Sequence, residues 1–187
     1  MKKNECSLDD LQGVRKLRID SAIDNRGFTR KVNVLDLQIF NIDFKIDSHL
    51  LTENTHQSTT RGIHLQVPPF PEEKIVWCPK GEIYDVLVDF RIESQTYGKW
   101  ATLNLGEEYM ECVYLPPGIG HAYQTLKSHS QVAYLISGEY SPRHSLSIDL
   151  NDTKLEIHFP ETFSQISERD KNGISFDEAS FNWNYKT

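Results

Sequence analysis

The sequence predicts an all-β fold, a jelly-roll barrel that forms one domain over residues 1–187. Short runs of apolar and β-branched residues recur along the central part of the chain, and turn residues separate them at fairly even spacing. Helical periodicity is weak by comparison. Many short strands joined by turns are typical of sandwiches and barrels, and 187 residues are enough to bury one core.

In chain order, the first predicted element is one short helical turn near the N-terminus. A strand is predicted over residues 32–40, where apolar and polar residues partly alternate. Residues 75–78 and 83–90 form two further strands, and Pro79-Lys80-Gly81 between them favours a hairpin turn. The later strands are predicted at residues 100–105, 110–115, 131–136, 145–150 and 155–159. A short helical or irregular segment is expected after them.

Composition excludes several classes of function. The formal net charge is −7, so a general nucleic-acid binder is not expected, although six Arg and Lys residues between positions 15 and 31 leave a local basic groove open. No apolar run is long enough to span a membrane, and the N-terminus lacks a signal-like apolar core, so a cytoplasmic location is expected. Cys6, Cys78 and Cys112 lie far apart and predict neither a disulfide framework nor a zinc site.

The segment from Arg61 to Lys74 is the most informative stretch for chemistry. It contains Arg61-Gly-Ile-His64 and, after a proline-rich break, Lys74. A neutral imidazole removes protons near pH 7, and fixed cations hold phosphates or a developing oxyanion. The combination indicates proton abstraction beside a carbonyl on a phosphorylated substrate. The alternative is a structural histidine with solvated surface charges.

Three other clusters carry candidate residues. The turn Asp24-Asn25-Arg26-Gly27-Phe28 could place Arg26 against an anion, or it could be a simple surface turn. Pro116-Pro117-Gly118-Ile119-Gly120-His121 is a tight turn that delivers His121 onto the next strand, where the alternative role for that ring is packing. Tyr134 lies on a strand with Tyr140 shortly after it, and buried tyrosines usually belong to the core.

Taken in order, these motifs resemble those of the dTDP-4-dehydrorhamnose 3,5-epimerases. The chain reads Asp-x-Arg-Gly, Arg-Gly-x-His-x-Gln, Gly-Glu-Ile-Tyr-Asp-Val, Pro-x-Gly-x-x-His and Tyr-Ser-Pro, over about residues 20–171. The resemblance implies a cupin-type barrel, a homodimer and no metal or organic cofactor. It implies a substrate that is a nucleotide-linked 4-keto-6-deoxy sugar, as in deoxysugar synthesis for lipopolysaccharide or O-antigen. The reaction inverts C3, C5 or both through an enolate.

The resemblance also assigns roles to residues. His64 matches the base, and Asp170 resembles the carboxylate that orients it, with Asp177 as a nearby competitor. Lys74 matches the residue that steadies the enolate oxygen, and Tyr134 matches the acid on the opposite face. The residues that match substrate-binding positions are Arg26, Phe28, Arg61, Gln66, His121 and Tyr140. Arginine suits a diphosphate because its guanidinium binds two oxygens at once.

Departures from the family pattern concern the nucleotide side. The Arg-Gly motif is usually followed by two aromatic residues and then an acid, whereas this chain has Phe28-Thr29-Arg30-Lys31. The loop before Arg61 also differs. The nucleotide is therefore left open between dTDP, CDP and another base.

Two other classes of protein are alternatives. A metal-dependent cupin would use the Pro-x-Gly-x-x-His121 half-site, but it needs a second histidine where His64-Leu65-Gln66 has glutamine. A non-catalytic sugar-nucleotide-binding barrel would keep the arginines and aromatics, but it has no need for His64, Lys74 and Tyr134 together.

Overall fold

The structure, a computed structural model, describes residues 4–180 and contains eleven strands there. Their bounds are β1 (Arg15–Asp24), β2 (Gly27–Val32), β3 (Ser48–Asn54), β4 (Thr60–Gln66), β5 (Glu73–Lys80), β6 (Glu82–Asp89), β7 (Trp100–Gly106), β8 (Glu111–Leu115), β9 (Ile119–Thr125), β10 (Ser130–Ser137) and β11 (Ser145–Ser147). The larger sheet has the order β2-β1-β8-β5-β10-β3 and the smaller sheet the order β11-β4-β9-β6-β7. Adjacent strands are antiparallel, so the all-β prediction is confirmed.

The barrel interior lies between the two sheets. Strand β6 shows how it is built, because alternate residues of a strand face opposite sides. Ile83 and Leu87 join the core between the sheets, while Val86 and Val88 join a second cluster on the outer face of the smaller sheet. The chain after residue 145 covers that outer face, which explains why the sequence of β6 is hydrophobic almost throughout.

The predicted strand over residues 32–40 is wrong beyond Val32, where β2 ends. A 3₁₀-helix, Val34–Phe40, follows and closes the outer face of the larger sheet. Only Leu37 of this helix is buried, whereas Leu35 and Ile39 are 65% and 79% exposed. The apolar residues that suggested alternation therefore lie around a helix of three residues per turn.

The predicted hairpin at Pro79-Lys80-Gly81 is also wrong. Strands β5 and β6 belong to different sheets, so this turn carries the chain from one wall of the barrel to the other. Gly81 has φ +77°, and a Cβ there would lie 2.4 Å from the Ser130 hydroxyl oxygen. The Pro116-Pro117-Gly118 turn makes a second crossing, from β8 to β9, and it delivers His121 onto β9 as predicted.

Residues 155–159 do not form the strand that the sequence predicts. Leu155 is buried against the outer face of the smaller sheet, and its carbonyl accepts a hydrogen bond from Trp100 Nε1 at 2.8 Å. The short helical ends are confirmed by a 3₁₀-helix at Leu8–Asp10, by α1 (Glu168–Lys171) and by α2 (Phe176–Ala179). The aromatic segment that begins at Phe181 lies outside the described residues. No helix in residues 4–180 is long and apolar enough to cross a membrane.

Candidate active site

Strand β4 places Arg61 and His64 on the same face, although they are three residues apart. Arg61 pairs with Tyr123 of β9 and His64 pairs with His121, with a register shift between the two pairs. Directly opposed residues share a face, and positions 121 and 123 of β9 share one too. The extra residue is therefore a β-bulge at positions 62–63, and it turns His64 toward the barrel interior.

His64 is hydrogen-bonded to Asp170, the first residue of the predicted pair. Its Nε2 lies 2.7 Å from Asp170 Oδ1, and that carboxylate also accepts the Ser147 hydroxyl at 2.7 Å and the Gly62 N–H at 3.4 Å. Burial works against the charged form of Asp170, but the hydrogen bond and charge of His64, with help from Ser147 and Ser167, lower its pKa to about 2. An ionised carboxylate only accepts hydrogen bonds, so His64 Nε2 carries the proton and Nδ1 is the basic atom.

Asp177, the competing candidate, is not near His64. It lies in α2 and forms an ion pair with Lys154 on the surface. Asp170 lies in α1, whose N-cap is Ser167, and it is only 3% exposed. The structure thus selects Asp170 as the neighbour of His64.

His121 has a carboxylate partner of its own, which the sequence analysis did not identify. His121 Nε2 lies 2.6 Å from Oδ1 of the fully buried Asp85. Asp85 belongs to the Gly-Glu-Ile-Tyr-Asp motif, and the pairing of Leu87 with His121 brings it alongside. Its Oδ2 has no hydrogen-bond partner among the described residues. Asp85 therefore fixes the orientation of the second histidine.

Tyr134 contacts His121 from the larger sheet. Its ring meets that of His121 edge to face, with centroids 5.8 Å apart. Burial raises the pKa of its phenol well above the usual value, and Tyr123 and Asp85 act in the same direction while Arg61 opposes them. The hydroxyl therefore keeps its proton across the whole neutral range and can donate it.

Lys74 and Arg61, the two predicted cations, reach the barrel interior from different sheets. Lys74 pairs with Ile136, two residues from Tyr134, and so shares the inner face of the larger sheet. Its Nζ lies 3.1 Å from Glu72 Oε2, and the Lys74 side chain is 17% exposed. The Arg61 guanidinium donates from Nε to Asn54 Oδ1 at 2.8 Å. This leaves its terminal nitrogens for a ligand.

Gln66 and Tyr140 lie beside one another at the end of β4. The Gln66 amide bonds three backbone groups, two of which flank Tyr140 in the chain. The Tyr140 side chain is 62% exposed.

Arg26 and Phe28 are not brought to the His64 cleft within one chain. Arg26 lies at the tip of the β1–β2 hairpin and is paired with Asp24 at 2.5 Å. Phe28 lines a different cavity of about 520 Å³, on the outer face of the larger sheet. Sequence proximity to a motif could not show this, because the place of the hairpin depends on the pairing of β1 with β8.

The cleft beside His64 has a volume of about 410 Å³ and is bordered by residues 59–64 and 165–170. Arg61, His64 and Asp170 line this cleft, whereas Lys74, His121 and Tyr134 lie toward the barrel interior and are not among its lining residues. An oriented base, a protonated phenol and two cations are the groups needed to remove a proton, hold an oxyanion and return a proton. Within residues 4–180, no group of three His, Cys, Asp or Glu side chains is placed to hold a metal ion.

Comparison with known proteins finds relatives that are all sugar epimerases. The model of the dTDP-4-dehydrorhamnose 3,5-epimerase family matches residues 9–178. A dTDP-4-dehydrorhamnose 3,5-epimerase of Sinorhizobium fredii is 34% identical over 128 residues, 68% of this chain and 66% of that protein, just under two thirds of its length. The crystal structure of a 4-keto-6-deoxy sugar epimerase of Streptomyces spheroides superposes with a TM-score of 0.83 at 30% identity, covering 90% of this chain and 85% of that one.

A third relative carries a bound ligand. The 3′-monoepimerase of Streptomyces bikiniensis, solved in complex with dTDP-quinovose, has a TM-score of 0.81 and is 30% identical. The superposition covers 89% of this chain and 85% of that one. These likenesses agree with the predicted cupin-type barrel.

Proposed function

Because the chain belongs to the dTDP-4-dehydrorhamnose 3,5-epimerase family, we propose that its His64 cleft inverts C3, C5 or both of a nucleotide-linked 4-keto-6-deoxy sugar. The observation that carries the proposal is the His64–Asp170 pair, with His121 opposite His64 on β9 and the Tyr134 ring against His121. The isomerase class and the deoxysugar substrate follow the family, while the residue roles and the nucleotide are our proposals. The cytoplasmic location stays a prediction from sequence.

The first step is proton removal by His64. A 4-keto group acidifies the hydrogens on the neighbouring carbons, and His64 Nδ1 takes one of them as the carbon's electron pair moves into the enolate. Asp170 holds the ring by its Nε2–H and stabilises the imidazolium that forms. Positioned general bases of this kind contribute about 10²–10⁴ in rate.

Two side chains stabilise the enolate, and a third completes the inversion. We assign the enolate oxygen to Lys74, with His121 beside it, since a cation in a partly buried site favours a developing negative charge. Tyr134 then donates its phenolic proton to the carbon from the opposite face. The oriented base and the protonated phenol are on different sheets, which supports inversion rather than simple exchange.

The nucleotide is assigned to the mouth of the cleft. Arg61 suits the diphosphate because its terminal nitrogens are available. The remaining predicted substrate residues, Arg26 and Phe28, require a second copy of the chain. We propose a homodimer in which the β1–β2 hairpin of one copy reaches the cleft of the other. Exposed apolar side chains on that hairpin and on the 3₁₀-helix that follows it support this, namely Ile23, Phe28, Leu35 and Ile39.

The experiment that tests the function is proton NMR in D₂O. The protein is incubated with dTDP- and CDP-linked 4-keto-6-deoxyglucose, and with the CDP-linked 3-deoxy analogue, beside a His64→Ala control. Deuterium at C3 or C5 with the wild type, lost by at least about 10²-fold in the variant, is the expected result. The labelled carbon and the preferred nucleotide then define the specificity. Equal exchange in the two proteins, or none with any substrate, contradicts the proposal.

A further inference from the structure

We propose that Gln66 is a positioning residue that fixes the loop carrying Tyr140, and that it does not bind the substrate itself. The inference rests on the proposed function, because Tyr140 matches a substrate-binding position of the family and we place its exposed ring against the nucleotide. It reassigns a residue that the sequence places among the substrate-binding groups.

Both donors of the Gln66 amide are used inside the protein. Nε2 donates to the carbonyl of Phe70 at 2.6 Å and to the carbonyl of Glu139 at 2.8 Å, while Oε1 accepts from the Ser141 N–H at 2.8 Å. A side-chain amide has two N–H donors, so none is left for a ligand. Gln66 is also only 4% exposed.

These bonds surround Tyr140 in the chain. Glu139 and Ser141, the residues on either side of it, are both hydrogen-bonded to the same amide, whereas Tyr140 itself is 62% exposed. A large exposed aromatic ring on a clamped backbone is a stacking surface that loses little conformational entropy on binding. The hydrogen bonds of the Gln66 amide, called the clamp below, therefore fix the backbone on either side of Tyr140 and leave the face of its ring free.

The clamp joins two loops into one unit. Besides the bond to Phe70, the Phe70 and His144 rings pack with centroids 4.9 Å apart. Gly138 has φ +116°, and a Cβ there would lie 2.5 Å from the carbonyl oxygen of Pro71. Only glycine allows this close approach. Residues 67–71 and 138–144 are thus held against each other at the end of β4.

The position of this unit links it to the reacting groups. The loop of Tyr140 connects β10, which carries Tyr134, to β11, whose Ser147 bonds Asp170. Gln66 itself is two residues from His64 on the same strand. Strand β4 therefore carries the base, His64, and through the Gln66 amide it also fixes the position of Tyr140, the side chain that would hold the nucleotide.

The test compares Gln66→Ala, Tyr140→Ala and the double variant with a matched control. Gln124→Ala is the control, because Gln124 is a buried glutamine on the outer face whose amide also makes three hydrogen bonds, to Thr60 and to both backbone groups of Glu161. The probes are dTDP and CDP alone, titrated calorimetrically, together with kcat and KM for the keto-sugar substrates. Amide hydrogen exchange of Ser141 reports on the loop without any ligand.

We expect Gln66→Ala to raise Kd and KM about tenfold with kcat within about threefold, and to speed Ser141 exchange at least about tenfold. The double variant should be no weaker than Tyr140→Ala, because the two residues act as one unit. Gln124→Ala should leave nucleotide affinity unchanged. Four results would overturn the inference. They are losses of affinity that add in the double variant, a fall in kcat at constant KM, unchanged Ser141 exchange in Gln66→Ala, and a wild type that binds neither nucleotide. A wild type that binds nucleotide but catalyses no exchange contradicts the proposed function. The nucleotide titrations of the variants then still decide whether Gln66 positions Tyr140.

Discussion

At the scale of single residues, two aspartates compete in the sequence for one histidine, and burial separates them. Asp170 is 3% exposed and receives three hydrogen bonds from groups around His64, whereas Asp177 is paired with a surface lysine. A carboxylate can orient an imidazole only if its own position is fixed. Asp170 meets that condition because Ser147 and Gly62 hold it from two further directions.

Replacing Asp170 with asparagine should therefore reduce kcat/KM by about 10²-fold or more, because the amide no longer holds the ring or stabilises the imidazolium. Asp177→Asn is the matched control and should keep kcat/KM within about twofold. Steady-state kinetics on the labelled substrate measure both. Equal losses in the two variants would remove Asp170 from the mechanism.

The same aspartate makes stability depend on pH in the acid range. Its pKa is about 2 in the folded protein against 3.8 for an ordinary aspartate, so its ionisation stabilises the fold by about 2 kcal/mol at neutral pH. Because the folded pKa is the lower one, this stabilisation is complete above about pH 5 and is lost as the pH falls toward about 2. Urea unfolding should show a gap between wild type and Asp170→Asn at pH 7 that narrows near pH 2.5. A gap of constant size would contradict the assigned shift.

Tyr134→Phe should separate proton removal from inversion. Without the phenolic proton, His64 can still take a proton and return deuterium to the same face, so exchange continues while the inverted product falls by about 10²-fold or more. NMR of the recovered substrate measures both at once. Tyr114→Phe, a buried tyrosine on the outer face of the larger sheet, is the control and should invert normally. Loss of exchange together with inversion would make Tyr134 part of the base instead.

Much of the residue set could be predicted from motifs, but partners distant in sequence could not. The family resemblance marks His64, Lys74, Tyr134 and Asp170; in the structure His64 is bonded to Asp170, while Lys74 and Tyr134 share the inner face of the larger sheet. Asp85 belongs to a motif that gives it no role, since its partner His121 lies 36 residues away. Its role depends on the pairing of β6 with β9, which no local pattern encodes.

At the scale of elements, the bulge in β4 determines where Arg61 and His64 point. Gly62 makes it possible, because it has φ +108° and a Cβ there would lie 2.5 Å from the His121 carbonyl oxygen and 2.7 Å from Ala122 Cα. The neighbouring backbone of β9 therefore leaves no room for a side chain.

Gly62→Ala should destabilise the protein by more than about 3 kcal/mol, combining backbone strain with a clash against a strand. Gly27→Ala is the control, since Gly27 also has positive φ but a Cβ there meets nothing within 4 Å. Strain alone should cost it about 1–2 kcal/mol. Urea unfolding compares the two, and similar losses would show that the close approach to β9 is unimportant.

Element prediction failed where the same local pattern serves two structures. Residues 34–40 place apolar side chains at a spacing that fits a 3₁₀-helix as well as a strand, and only the open face of the larger sheet decides between them. The turn at Gly81 has the residues of a hairpin, yet its two strands pair with other partners. The first error concerns packing on a distant sheet and the second concerns strand pairing, and local propensity determines neither.

At the scale of the whole molecule, the β1–β2 hairpin and the 3₁₀-helix carry exposed apolar residues that the proposed homodimer would cover. Ile23 is 80% exposed and Ile39 is 79% exposed. A closed dimer with twofold symmetry would bury both copies of these surfaces at once. It would also bring Arg26 and Phe28 of each copy to the other's cleft.

Mixing two inactive variants tests this arrangement. If His64→Ala and Arg26→Ala affect different halves of a shared site, a mixed dimer has one intact site. Equal mixing after reversible dissociation should then restore about a quarter of wild-type activity, because about half of the dimers are mixed. Size-exclusion chromatography with light scattering confirms the mass. No recovery from mixed dimers would place Arg26 in the cleft of its own chain or outside the site.

The placement of His64 and His121 on one sheet and Tyr134 on the other has a consequence for which sugars can react. Sheets packed face to face stand about 10 Å apart, and side chains line both of them, so little depth is available to a sugar ring held between these residues. We therefore expect a ring with a bulky axial group to be a poor substrate, whereas the group attached at its outer end is not restricted in this way.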